Sequence, residues 1–219
     1  MMSLARPIQP DHYIGVRPFG RHAQVSTSFQ LRKPAKLQFF EQAKIQLAKQ
    51  GVQRFCLSAV LAKTRVDSKQ FKSWFNNKRE LMQAIFYDHY QQLQTVICVA
   101  RTEYPPQERL TWYLDELRLF FTEANNLALT HQLAINGARL YGDEGYGPVQ
   151  MFFQDRIRKS LSSLMAELMH NQTAWELCRQ YADELQAAAT QSQSALAGYM
   201  DWLCDEIVAV TGRASSRIP

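Results

Sequence analysis

The sequence predicts an all-α protein, and three observations lead there. Apolar residues recur every three or four positions in segment after segment, the period of a helix with one face turned to a core. Gly and Pro are sparse, 9 and 8 in 219 residues, while Ala, Leu and Gln abound. Apolar residues make up 46% of the chain, enough for a core, yet no stretch approaches the roughly 18 consecutive apolar residues of a membrane span.

Residues 1–34 hold Pro7, Pro10, Pro18 and Pro34 among scattered Arg, His and Ser, without apolar period, and read as a basic arm. After Pro34 the pattern becomes helical: Phe39, Phe40, Ala43, Leu47 and Ala48 share one face, and Gly51 ends the run. A short helix fits Leu57–Lys63, with Leu57, Val60 and Leu61 inward. Asp67 or Ser68 then caps a third helix that runs to about Trp74. Asn76-Asn77 breaks it, and Lys78 opens a long helix carrying Leu81, Met82, Ile85, Phe86, Tyr90 and Leu93.

Pro105-Pro106 marks the next break, followed by helices over about 108–124 and 127–140. The glycine-rich stretch 142–147 is a loop. Long helices are expected over about 149–169 and 182–210, with 175–181 joining the last or forming its own turn. The organisation is therefore an arm over 1–34, a small helical domain over 35–82, and a larger one over 83–213.

Charge is divided along the same lines. The first 80 residues contain 15 Lys and Arg against 4 acids, a net +11, and the rest contains 10 against 16, a net −6. The formal +5 of the whole chain hides a basic module built for a polyanion joined to a mildly acidic remainder.

Other chemistry is missing from the sequence. Cys56, Cys98, Cys178 and Cys204 are far apart, with no Cys-x-x-Cys or Cys/His zinc spacing, and fit reduced thiols in a cytoplasmic protein. The N-terminus has no apolar core of a signal peptide. No nucleophile elbow, phosphate-binding loop, dinucleotide fingerprint or paired-carboxylate site occurs, so neither catalysis, a cofactor nor a metal is expected.

Two short helices joined by a tight turn, the second one capped, describe a helix-turn-helix whose second helix enters the DNA major groove. Phe39–Met82 resembles, without a gap, the N-terminal DNA-binding domain of the TetR family of bacterial transcriptional regulators. Phe39, Phe40, Ala43, Leu47 and Gly51 match its first helix. Leu57, Val60, Thr64 and Val66 match its second helix and turn, Phe71 and Phe75 the core positions of its recognition helix, and Asn77-Lys78-Arg79-Glu80-Leu81 the start of its fourth helix. The chain departs from the family at Arg65 in place of the turn Gly, Lys72 in place of a phosphate-binding Tyr, Trp74 where His is frequent, and Cys56 where Thr is usual.

The resemblance implies a TetR-like fold, with a three-helix DNA-binding domain followed by a helical ligand-binding and dimerisation domain. In such a helix-turn-helix Ser68, Lys69, Gln70 and Ser73 face the bases, with Lys69 suited to guanine and Gln70 to adenine edges. Ser58, Lys72, Trp74 and Lys78 are placed for the phosphate backbone, Trp74 having the core as its other destination.

In the larger domain Trp112, Tyr113, Phe120, Phe121, Phe152 and Tyr199, with His131 and Asn136 as polar points, are the candidates to line a site for a small apolar or aromatic effector. The last two expected helices, 149–169 with Phe152, Ile157, Leu161, Leu164, Met165 and Leu168, and 182–210 with small residues such as Ala188, Ala189, Ala195 and Gly198, suit a homodimer that would present two recognition helices to a palindromic duplex operator. The expected function is a dimeric repressor released from its operator by the effector. The competing reading is a helical protein-interaction or ligand-sequestering module without specific DNA recognition.

Overall fold

The structure, a computed structural model, describes residues 34–97, 104–141, 149 and 151–215, and all of them in regular structure are helical. The expected arm up to residue 33, the 142–147 loop and Cys98 lie outside the described residues.

Helix α1 spans Ala35–Arg54 and buries Phe39, Ala43, Leu47 and Ala48 along one stripe. It is interrupted where the sequence places its end: Gly51 has φ 73° and ψ 171°. A Cβ there would lie 2.9 Å from the Gln132 side-chain oxygen, the movable end of a flexible side chain, so it is the backbone conformation that selects glycine. Helix α2 (Leu57–Thr64) and helix α3 (Ser68–Trp74) follow, then α4 (Lys78–Ile97). All six apolar positions expected to face inward on α4, from Leu81 to Leu93, are buried. At about 1.5–3 kcal/mol for each large apolar side chain removed from water, this stripe is a main reason that α4 adheres to its neighbours.

Helix α5 (Pro106–Thr122) starts with a proline where no intrahelical N–H is needed, and buries Leu110, Tyr113, Leu114, Leu117, Phe120 and Phe121. Helix α6 (Ala124–Tyr141) is separated from it by a single extended residue, Glu123. α4, α5 and α6 pack on one another, and α6 also lies along α1, which joins the N-terminal helices to the rest.

The C-terminal part differs from the sequence expectation in two places. The helix expected over 149–169 is a π-helical segment, Met151–Arg158, running into α7, Lys159–Met165. Phe152, Phe153 and Ile157 all turn inward, the adjacent pair marking a wide apolar stripe like those of α4 and α5. The long final helix is two helices, α8 (Asn171–Gln191) and α9 (Gln193–Ser215), so 175–181 belongs to α8. Between them Ser192 is extended at φ −167° and ψ 165°, and its hydroxyl accepts the Ala195 N–H at 3.0 Å, a serine N-cap.

α8 and α9 pack on each other and on the inner helices, which buries Leu185, Ala188, Ala189, Leu196, Leu203 and Ile207 inside the protomer. The outward side of α9 carries Trp202 and Val208, 46% and 44% exposed, and α5 exposes Leu119 at 65%.

Candidate nucleic-acid interface

The N-terminal unit is built on an aromatic wedge. Phe39 of α1 contacts Phe71, Trp74 and Phe75 with ring centroids 5.7, 5.9 and 6.4 Å away, and Phe40 stacks on Phe75 at 6.3 Å. These contacts fix the inward face of α3, so its opposite face turns to solvent.

The α2–α3 connection closes by two cap motifs in succession. Val66 N–H donates to Leu61 O at 3.2 Å and Arg65 N–H to Ala62 O at 3.4 Å, the paired bonds of a Schellman motif, with Arg65 at φ 56° and ψ 30° in the left-handed position. Then the Asp67 carboxylate accepts Gln70 N–H at 2.7 Å while the Gln70 side-chain oxygen accepts Asp67 N–H at 3.2 Å. This capping box settles the sequence alternative in favour of Asp67 as N-cap. Helix α4 is capped likewise, Glu80 N–H donating to Asn77 Oδ1 at 2.9 Å.

Of the side chains expected on DNA, Ser68, Lys69 and Lys72 are exposed on α3, with Lys69 on the side opposite Phe71. Gln70 is exposed, with its oxygen engaged in the capping box, and the Ser73 hydroxyl donates to Gln70 O at 2.6 Å. Ser58, exposed near the start of α2, lies 3.1 Å from the Cys56 sulfur. That contact, with the N–H of Ala59 at the helix start, holds the exposed Cys56 thiol below its ordinary pKa. Two residues are placed elsewhere. The Lys78 ammonium donates to Phe55 O at 2.6 Å and lies over the Phe55 ring, while Trp74 is half-buried against Phe39.

The expected effector residues divide into separate groups. Phe120, Phe121 and Phe152 are buried and in ring contact with each other, and Phe120 and Phe152 also with His89, as a filled core. Tyr113 is buried beside the π segment, where desolvation holds its phenol far above the ordinary range, and Trp112 is half-buried. His131 Nδ1 lies 2.6 Å from Ala189 O on α8, and the buried Asn136 donates to Gln132 O at 3.2 Å. Tyr199 lies on the outer layer, donating to Glu184 at 2.7 Å and ring to ring with Trp202 at 5.1 Å. No cluster of three His, Cys, Asp or Glu able to hold a metal occurs among the described residues, and no helix among them is long and apolar enough to cross a membrane.

Sequence reasoning missed the residues that join the N-terminal unit to the larger body. Gln132 of α6 accepts the Val52 N–H at 3.1 Å just past the Gly51 break. Arg79 and Gln83 of α4 both donate to Leu140 O, at 2.7 and 2.9 Å, and Tyr141 donates to Gln83 O at 2.7 Å. Lys44 pairs with Asp88 at 2.6 Å. Nothing in the local pattern distinguishes these polar residues from solvated ones, because their partners are distant in the chain.

No protein-family model and no curated protein matches the sequence. The structure is similar to the crystal structure of a TetR-like transcriptional regulator from Rhodococcus sp. RHA1, with a TM-score of 0.62 and 15% identity, covering 84% of this chain and 97% of that one. Capped α2 and α3 on their aromatic wedge, followed by a helical body, are thus the N-terminal part of a TetR-like fold.

Proposed function

We propose that the protein is a cytoplasmic, dimeric DNA-binding transcriptional regulator, a repressor released from a palindromic duplex by a small effector. The observation that carries this reading is α3 itself. A doubly capped helix presents Ser68, Lys69 and Lys72 outward, within the 80 residues that hold the net +11. Lys69, near the N-terminus of α3, reads guanine edges, and Lys72, one turn on, binds phosphate. The similarity to a solved transcriptional regulator supports the same reading.

Release requires an effector that binds one arrangement of the body better than another. The aromatic group of Phe120, Phe121 and Phe152 is filled here, so an apolar effector entering beside Trp112 and Tyr113 must displace rings and reset the body. The outward faces of α8 and α9 carry the two-fold contact.

Selection of duplexes from a random-sequence pool by the full chain, followed by titration against salt, tests the DNA reading. A regulator enriches a two-fold-symmetric sequence and binds it with a steep negative salt slope. Lys72→Ala weakens binding to selected and scrambled duplex alike and makes the slope shallower by about 0.9, whereas Lys69→Ala costs about 1–3 kcal/mol on the selected duplex only. Equal affinity for selected and scrambled duplex favours the interaction-module reading instead.

A further inference from the structure

Arg65 occupies a position that the fold reserves for a different kind of residue. The α2–α3 turn is closed by a Schellman motif, which needs a left-handed residue after the helix, and Arg65 supplies it at φ 56°. Among the described residues it is the non-glycine residue with a left-handed φ. Glycine adopts that conformation freely, while an L side chain crowds its Cβ against the following carbonyl.

Among the described residues no side-chain contact offsets that cost. The Arg65 side chain is exposed and makes no ion pair or side-chain hydrogen bond with the described residues. Several other arginines are engaged, Arg109 with Glu167, Arg118 with Asp201 and Asp205, Arg156 with Tyr90 and Arg79 with Leu140 O, while the exposed Arg54 and Arg139, like Arg65, stand on the surface but in regular helical backbone. A strained backbone that holds an unengaged guanidinium is expected where the side chain has an external task.

The location identifies the task. Arg65 stands two residues before the Asp67 cap and three before Ser68, at the edge of the surface that α3 presents. The first residues of a recognition helix lie against base edges, so a long side chain on the turn just before them reaches the rim of the groove, where the phosphates are. Arg65 also shares the rim of an open recess of about 470 Å³ with Lys63, Gln38, Gln42 and Thr64, and with the carboxylate of Glu41. Its planar fork suits two oxygens of one phosphate.

We propose that Arg65 is a phosphate-contacting residue of the DNA interface, held at the α2–α3 turn in a left-handed conformation that glycine would adopt without strain. The inference rests on the DNA-binding reading above. It makes an opposite-sign prediction, because removing the side chain relieves the backbone while losing the contact.

Melting curves and fluorescence-anisotropy titrations from 0.05 to 0.3 M KCl on the full chain, with a duplex selected by the wild type, test it. Arg65→Gly is expected to melt about 2–4 °C higher and to bind about 3- to 10-fold more weakly at 0.15 M salt, with a slope shallower by about 0.9 on selected and scrambled duplex alike. Arg65→Asn, which tolerates the left-handed region without the charge, loses the same binding, and Arg65→Lys keeps the wild-type slope. Wild-type affinity and slope in Arg65→Gly overturn the inference alone. A wild-type protein that enriches no duplex overturns the DNA reading and this inference with it.

Discussion

His89 is fully buried on α4 between the rings of Phe120 and Phe152, each 5.3 Å away. Its Nε2 lies 2.9 Å from the Thr130 hydroxyl, and that hydroxyl donates to Asn126 O at 2.9 Å. With the hydroxyl proton committed, Nε2 must be the donor, and Nδ1 keeps a lone pair without a hydrogen-bond partner. Burial, helped by the positive charge of Lys44, pushes the imidazole down to about 3. Above pH 6.5 both folded and unfolded forms are neutral. As pH falls from 6.5 toward 3, the unfolded chain takes up a proton that the folded one refuses, and stability is lost by up to about 1.4 kcal/mol per pH unit. His89→Phe removes that loss. Urea unfolding at a series of pH values is expected to show the wild type falling more steeply than the variant between pH 6.5 and 4.5, and parallel curves would contradict the assignment. The site is similarly uneven in its legibility. Lys69 and Lys72 could be read from the period of α3, because Phe71 and Phe75 define its inner face. Lys78 could not, since Phe55 O reaches it only through tertiary folding, and for Trp74 the contact with Phe39 decides between the two destinations that the sequence left open.

At the scale of elements, boundaries were legible where one residue carries the backbone requirement. Gly51, the Asp67-Ser68 pair and the Pro105-Pro106 break mark helix ends without a structure, while the choice of Asp67 with Gln70 as its capping partner and the start of α5 at Pro106 itself come from the fold. The Ser192 break was not, because the apolar period on either side continues and a serine cap looks like an ordinary polar position. The role of α6 was hidden for the same reason. α6 holds the N-terminal unit at two levels, Gln132 on Val52 near its middle, and Leu140 and Tyr141 on α4 at its end. Next to Gln132, His131 contacts Ala189 O near the end of α8, so neighbouring residues of one helix face the N-terminal unit and the C-terminal layer. Gln132→Met keeps the length but leaves the Val52 N–H without an acceptor, at a cost of about 1–2 kcal/mol. Hydrogen exchange in the segment that follows Gly51 is expected to accelerate in that variant and to remain slow in Gln132→Glu, which keeps an acceptor oxygen. Unchanged exchange in Gln132→Met would show that other contacts hold the break.

Across the whole molecule, charge and apolar exposure point in different directions. Residues 34–80, which form α1–α3 and the start of α4, hold 10 Lys and Arg against 3 acids, while the acidic remainder includes a body whose C-terminal helices still expose Trp202 and Val208. The two-fold contact expected over 149–169 and 182–210 draws on residues such as Phe152, Ile157, Leu161, Leu196, Leu203 and Ile207, which are occupied inside the protomer, so the proposed contact is assigned to the outward faces of α8 and α9 instead. On α9, Gly198 and Gly212 lie on open surface, which leaves room for a second backbone to approach. Because Trp202 and Val208 are already about half exposed, replacing both with Glu should leave the protomer folded, with unchanged helical circular dichroism. The double variant places four carboxylates across a two-fold axis and is expected to halve the solution mass, from twice 25.3 kDa to 25.3 kDa, in light scattering. Each protomer then binds one half-site alone, so affinity for the selected duplex collapses toward the non-specific level and the salt slope falls to about half, in proportion to the phosphates neutralised. A variant that stays at the dimer mass places the two-fold contact elsewhere on the body. One that becomes monomeric yet binds the selected duplex as tightly as before would show that half-site pairing is not the source of specificity.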